Sequence, residues 1–367
     1  PRLKNPEPTT RDINIGTSTW GGMPPLRPAS PRGTFQRNAM DTLPFDSSKP
    51  RDVVVLGRAT IDLYAAENGP LEEVSTFNKY VGGSSANTAV ALSNMSLEVG
   101  YLGKVSDDQF GRYITRYLAS KGIDTSHIAT DDTGARSGVT IGEIKSPTEC
   151  SFFMYREKVA DLNIRCDEIS EEYLRQFKAL LVSGTSLTHS PAREAVFLAI
   201  EIARRNGVRV IFDPDYRAHT WDTPAETATY YLLAAEKADM VVGTREELDF
   251  IEHLVMPGNQ DDQLSARNLL ARGVKLVAIK HGRAGSTVFA ADGTIHRGVS
   301  YPAKVVKTFG AGDAYAGAFL YGLIRGKGID TSLHYAAAAA SLTIAGRSCS
   351  DSTPTLPEVE AFLAEHA

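Results

Sequence analysis

The chain has 367 residues, 42% of them apolar and 23% charged, with a formal net charge of −5. That length holds one large α/β domain or two small ones, and that composition can bury a sizeable core. A mildly acidic chain without a dense Lys/Arg run argues against nucleic acid or a membrane surface as the main partner. No apolar run approaches the ~18 residues of a membrane span. Cys150, Cys166 and Cys349 are odd in number and lack metal-knuckle or CxxC spacing, which reads as reduced thiols in a cytoplasmic protein.

Residues 1–50 carry nine of the eighteen prolines and no helical or strand period. They are expected to form an extended or disordered arm. The chain opens on Pro1, which suggests processing or truncation, with Met23 and Met40 as alternative starts; a transit peptide lacks the amphipathic period it would need.

From Asp52 onward, short apolar runs alternate with helical patterns. Val53–Leu56 predicts a strand ending at Gly57, Ala86–Met95 a helix, and Val99–Leu102 a strand. Gln109–Ser120 is an amphipathic helix stopped by Gly122. Ala179–Val182 predicts a buried strand, followed by a helix capped by Ser190 with Pro191 in its first turn. Val208–Phe212, Asp239–Val242 and Lys275–Lys280 predict further strands. Glu246–His253, Ser265–Arg272, Gly312–Arg325, Thr331–Gly346 and a last segment from Pro357 predict helices. The alternation implies a doubly wound α/β fold with a mainly parallel central sheet flanked by helices. Residues 60–80 and 137–156 break it with short alternating strands, expected to form a small β-sheet lid beside the main sheet.

The segment Thr308–Gly317 lies between a strand-like stretch and a helix, and Gly310-Ala311-Gly312 leaves its backbone uncovered. Successive N–H groups at a helix N-terminus suit a phosphate, and donors fixed there act on charge developing in phosphoryl transfer. Asp313, in the first helical turn, is placed to act as a general base. The helix dipole there is expected to favour its ionised form and make it a weak base. On spacing alone the segment is equally an ordinary strand-to-helix turn. Gly82-Gly83-Ser84-Ser85-Ala86-Asn87 is a second tight turn before a helix, where glycines permit a close ligand approach and the Asn87 amide donates and accepts; a turn capped by Ser85 is the alternative. Asp62 follows the first strand at the edge where ligands of open α/β sheets bind.

Taken in order, Asp62, Gly82-Gly83…Asn87, Gly103…Asp107…Phe110-Gly111 and Gly310-Ala311-Gly312-Asp313 resemble the PfkB, or ribokinase-like, carbohydrate kinases over roughly residues 52–365. Gly57–Tyr64, Phe212–Arg217, Val242–Glu247, Lys280–Gly282 and Lys307–Gly310 are similar to members that act on keto and deoxy sugar acids. The resemblance implies ATP-dependent phosphorylation of a primary hydroxyl, with Mg2+. It implies Asp313 as the base, Gly310, Ala311 and Gly312 as the anion hole, and Asp62, Gly82, Gly83 and Asn87 around the substrate hydroxyls. Glu247 would organise Mg2+ through water, and Thr244, Lys280, Gly282 and Gly285 would border the nucleotide. Thr244 stands where many members carry Asn. Lys307 stands where many carry Asp, which argues against a bound monovalent cation of the ribokinase type. A non-catalytic sugar or nucleotide sensor on the same fold is the alternative from a different class.

An acidic acceptor needs a cation, and Arg156 and Arg217 are the candidates, because guanidinium binds carboxylate bidentately. Each has a surface ion pair as its alternative. The lid's exposed strand edge is expected to pair two copies of the chain into a homodimer.

Overall fold

The computed structural model describes residues 43–146 and 149–366. The expected arm over 1–50 therefore lies outside the described residues up to residue 42. Its last stretch is docked rather than free: Leu43 is buried, Phe45 packs against the same core, and Pro44 accepts a hydrogen bond from Arg209 at 2.8 Å. The folded domain thus reaches back at least to Leu43.

In chain order the elements are β1 (Arg51–Leu56), β2 (Thr60–Ala65), β3 (Phe77–Gly82), α1 (Ser84–Asn94), β4 (Val99–Val105), α2 (Gln109–Ser120), β5 (Asp124–Thr130), β6 (Val139–Ser146) and β7 (Glu149–Tyr155). There follow α3 (Glu171–Leu174), β8 (Phe177–Ser183), α4 (Ala192–Arg205), β9 (Arg209–Asp213), α5 (Pro224–Lys237), β10 (Met240–Thr244), α6 (Arg245–Glu252) and α7 (Asp262–Ala271). The chain ends with β11 (Leu276–Lys280), β12 (Ser286–Ala290), β13 (Ile295–Gly298), α8 (Ala311–Ile324), α9 (Ile329–Ile344) and α10 (Leu356–Glu365).

The main sheet has nine strands in the order β13-β12-β11-β10-β9-β8-β1-β4-β5. It is parallel from β11 to β5, and β12 and β13 add an antiparallel edge. Both faces are covered, and the period of two divides the core cleanly. Val53 and Val55 of β1 pack with Ala179 and Leu181 of β8 beneath α1, α8 and α9. Val54 and Leu56 pack with Leu180 and Val182 beneath α4 and α5. Burying each such Val or Leu contributes ~1.5–3 kcal/mol. A one-residue slip would exchange the two faces, so the register is strongly specified.

The lid is a second sheet of four strands, β3-β2-β6-β7, built from both of the expected segments. Two local expectations differ. α4 begins at Ala192 with Pro191 at its cap, and the Ser190 hydroxyl donates to Glu194 Oε1 at 2.7 Å instead of capping backbone N–H groups. α1 begins at Ser84 on Gly83, whose φ of +92° suits glycine, and Ser85 Oγ accepts from Arg58 N at 3.1 Å rather than closing the helix.

Candidate active site

The C-terminal ends of the parallel strands deliver residues to one edge: Arg58 after β1, Asp213 at the end of β9 with Asp215 just beyond it, Thr244 at the end of β10, and Lys280 at the end of β11. The N-termini of α1 and α8 point to the same edge, and the lid covers it. This is where open α/β sheets take ligands.

At α8, Gly310 caps the helix with φ +80° and ψ −7°, a left-handed conformation that glycine adopts without strain. A Cβ at Gly310 would lie 3.0 Å from Cys349 Cβ, and one at Gly312 would meet Lys280 Nζ at 3.4 Å. The helix N-terminus and the Lys280 ammonium therefore stand side by side. Asp313 lies in this first turn, where Asn87 Nδ2 donates to its Oδ2 at 2.9 Å. Burial and the nearby Asp215 carboxylate push its pKa up to about 7, against the pull of Asn87, Arg217 and Lys280. Burial thus shifts this carboxyl in the direction opposite to the one expected from the helix dipole, towards the neutral range that suits a general base.

Beside it lies a chain of acids and cations. Burial, with Glu247, Asp215 and Asp313 nearby, raises Asp213 to about 8 despite Lys280. Lys280 resists the effect of its own burial, because Asp213, Glu247 and Asp313 keep it charged. Asp215 goes the other way: burial opposes its charge, but the guanidinium groups of Arg217 and Arg58 and the Ser84 hydroxyl hold it below its ordinary value. Arg217 Nη2 lies 2.5 Å from Asp215 Oδ1, Arg58 Nη2 donates to Oδ2 at 3.2 Å, and Ser84 Oγ donates to the same oxygen. Glu247 accepts from Thr244 N at 2.7 Å through Oε2 and from Tyr216 N at 3.1 Å through Oε1.

The lid presents one face to this edge. Alternation on β2, β6 and β7 turns Asp62, Tyr64, Thr140, Phe152 and Met154 to the same side, and all five line one cavity with Arg58, Asn87, Arg217, Gly310 and Asp313. Asp62 is buried and accepts from Tyr64 Oη at 2.6 Å; burial raises its pKa, tempered by that hydrogen bond and by Arg58. A neighbouring cavity of about 360 Å³ is lined by Phe152, Tyr216, Arg217, His219, Thr244 and Glu247 among others. Phe152 and Arg217 border both cavities, so one holds the Asp62–Asp313 side and the other the Glu247 side.

The model of the pfkB family of carbohydrate kinases matches residues 50–356. The chain belongs to that family. A 5-dehydro-2-deoxygluconokinase of Geobacillus thermodenitrificans is 51% identical over 325 residues, which cover 88% of this chain and 96% of that one. Among solved structures, a PfkB protein of Polaromonas superposes with a TM-score of 0.75 at 27% identity, covering 85% of this chain and 99% of that one. A sugar kinase of Pyrococcus horikoshii in complex with ATP gives 0.70 at 26% identity, covering 84% and 99%.

Most of the expected residues of this carbohydrate kinase meet at the edge, but several stand differently from the expectation. Arg156 does not line either cavity. Its Nη2 lies 2.6 Å from Asp161 Oδ2, with the two side chains 6% and 2% exposed, so its charge is already neutralised. Gly82 makes room for a side chain rather than for a ligand: a Cβ there would lie 1.9 Å from Asp62 Oδ1. At Gly83 a Cβ would meet the Arg58 carbonyl at 2.5 Å. The Thr244 hydroxyl caps α6 by accepting from Glu247 N at 3.3 Å. Gly282 and Gly285 form the turn between β11 and β12; Gly282 has open space where its Cβ would be, whereas a Cβ at Gly285 would strike the Gly298 carbonyl at 2.1 Å.

Arg58, Asp213, Asp215, Tyr64, Phe152 and Met154 were not singled out as site residues in the sequence. Arg58 directly follows the glycine that ends β1, so the edge rule that selects Asp62 and Arg217 selects it as well. Lys307 is fully buried, and its Nζ donates to the Phe309 carbonyl at 2.6 Å, just before the Gly310–Gly312 turn.

Proposed function

We propose that this kinase transfers the γ-phosphoryl group of ATP to the primary hydroxyl of a keto deoxy sugar acid, 5-dehydro-2-deoxygluconate to its 6-phosphate, in the cytoplasm. The observation that carries the reading is Asp313, a partly buried carboxyl in the first turn of α8 that accepts from Asn87 Nδ2 at 2.9 Å inside the cavity lined by Asp62 and Arg217. The acceptor hydroxyl gives its proton to Asp313 as its oxygen attacks phosphorus. The N–H groups at Gly310–Gly312 and the Lys280 ammonium stabilise the charge on the moving phosphoryl group. Asp62 and Asn87 hold the remaining hydroxyls, and the arginines at Asp215 take the acid end.

The residues present suit ATP and Mg2+. Gly312 brings bare backbone close to Lys280 Nζ, two kinds of donor that suit a phosphate. Each Glu247 oxygen accepts one backbone N–H, which leaves lone pairs for water. Among the described residues no three acidic, His or Cys side chains gather to hold a metal. Mg2+ suits such a site, because it keeps most of its water and binds through a carboxylate and phosphates. Bound there, Mg2+ supplies charge compensation for the phosphates. Gly282 and Gly285 border the nucleotide.

The relative's name supports the acceptor assignment, and the two cavities separate an acceptor side from a phosphate side. The test is ADP release with 5-dehydro-2-deoxygluconate, 2-keto-3-deoxygluconate, fructose and ribose, in wild type and Asp313→Ala. Wild type should prefer the first acid, and the variant should lose on the order of 10²–10⁴ in kcat while still binding ATP. Near-normal turnover by the variant removes the base assignment, and preference for another sugar removes the acceptor. Sugar binding without ADP release would favour a sensor.

The lid supports a homodimer. Its β3 and β7 edges are unpaired among the described residues, and Phe153 and Tyr155 are exposed on the face turned away from the site. Sedimentation showing a monomer at micromolar concentration would remove this part.

A further inference from the structure

We infer that Arg58, paired with Arg217 across Asp215, reads the carboxylate of the acceptor and sets the preference for a sugar acid over its uncharged counterpart; this rests on the kinase reading above. Asp215 is saturated from this side: Oδ1 takes Arg217, and Oδ2 takes both Arg58 and Ser84. The two guanidinium groups are not saturated. Arg58 is 2% exposed, and its remaining contact is Nη1 donating to the Met154 sulfur at 3.4 Å, a weak acceptor. Arg217 gives Nη1 to the Tyr216 carbonyl at 2.8 Å. Among the described residues six buried side-chain atoms have no hydrogen-bond partner, and three of them are Arg58 Nε, Arg217 Nε and Asn87 Oδ1. All three residues line the cavity that holds Asp313.

Buried polar atoms without partners are costly, and here the three residues that carry them line one cavity. What they lack is complementary in kind. Two orphaned guanidinium N–H groups call for anionic oxygen, and an orphaned amide oxygen beside Asp313 calls for a hydroxyl. A sugar acid carries the two at opposite ends. Arg156 cannot fill the first role, because Asp161 already takes both of its terminal nitrogens. The Asp62 carboxylate in the same cavity repels an acid. It is turned to Tyr64 and Thr60, and burial favours its neutral form. The Met154 contact also ties Arg58 to lid strand β7, so carboxylate binding and lid position meet on one side chain.

The test pairs a protein change with a substrate change. kcat/KM is measured for 5-dehydro-2-deoxygluconate and for its methyl ester, in wild type, Arg58→Met and Arg58→Lys, with the melting temperature of each protein. Wild type should favour the acid over the ester by on the order of 10²-fold, mostly through KM. Arg58→Met should lose much more with the acid than with the ester, so that most of that ratio disappears, and Arg58→Lys should fall between. Equal losses for acid and ester in both variants would overturn the inference and leave Arg58 a structural residue. If Arg58→Met does not fold, an unchanged ratio in Arg58→Lys overturns it alone. Failure of wild type to phosphorylate the acid would overturn the acceptor assignment, and this inference with it.

Discussion

Asn87 Nδ2 donates to Asp313 Oδ2 at 2.9 Å and so joins the first turns of α1 and α8 across the active edge. The hydrogen bond favours the ionised carboxylate and pulls its pKa down against burial. Removing it in Asn87→Ala leaves burial less opposed, so the acid limb of the kcat/KM profile should move to higher pH. Loss of positioning should cost a further ~10–10² in rate at neutral pH. A pH–rate profile of the variant that overlays the wild type would contradict this.

The same acids set how stability depends on pH. Asp313 and Asp213 titrate near 3.8 when unfolded and at about 7 and about 8 when folded. Between those values the native protein binds more protons than the unfolded chain, so stability falls as pH rises. Ligand-free protein should melt at a progressively lower temperature from pH 5 to pH 8, and Asp213→Asn should flatten that slope. The activity of wild type should run the opposite way, falling below about pH 7 as Asp313 takes up its proton. Calorimetry and initial rates over one buffer series check both signs.

Arg156 and Asp161 form a buried pair that faces neither cavity. Arg156→Met leaves Asp161 buried without its cation, which should destabilise the protein by ~3–5 kcal/mol. Replacing both by apolar residues should recover most of that loss. The folded fraction should keep the wild-type KM for the sugar acid. A large rise in KM without loss of stability would return Arg156 to the substrate site.

Gly82→Ala places a methyl group 1.9 Å from Asp62 Oδ1, closer than any contact can be, so the carboxylate must move. Asp62 lines the cavity proposed for the sugar, whereas Glu247 lines the other one. KM for the acceptor should rise by roughly 10-fold or more while KM for ATP stays the same. Parallel loss of both would mean that the lid as a whole is disturbed.

Much of this was legible in the chain. The parallel sheet follows from apolar runs spaced by helical patterns, and Gly310–Asp313 announces itself through bare backbone before a helix. Other parts follow from tertiary context. α5 is absent from the sequence expectations, although Thr223-Pro224-Ala225-Glu226 carries a start signal and Thr223 Oγ1 does accept from Glu226 N at 3.1 Å. The antiparallel edge of β12 and β13 is short, and short apolar runs do not declare their direction. The pKa of Asp313 is not legible in the chain, because its helix position is local, whereas its burial and the charge of Asp215 come from tertiary context. Arg156 and Arg217 look alike in sequence, and only the fold shows that Asp161 consumes one of them.

Lys307 is the least expected charge in the site. It is fully buried, burial lowers its pKa, and Cys349, Asp313, Asp62 and Cys150 work to keep it protonated. Its Nζ grips the Phe309 carbonyl at 2.6 Å, which fixes the backbone entering Gly310 and the α8 N-terminus. Lys307 is therefore built into the chain directly beside the turn proposed as the anion hole. Wild-type turnover should be the same in potassium, sodium or tetramethylammonium chloride at equal ionic strength. Lys307→Met keeps the stem and removes the charge and the hydrogen bond, so the turn should loosen. kcat should fall by on the order of 10-fold or more with KM for the acceptor little changed, the mark of an interaction made chiefly in the transition state. A wild-type rate that depends on potassium over sodium, or a variant that loses only KM, would show that Lys307 does not support the anion hole.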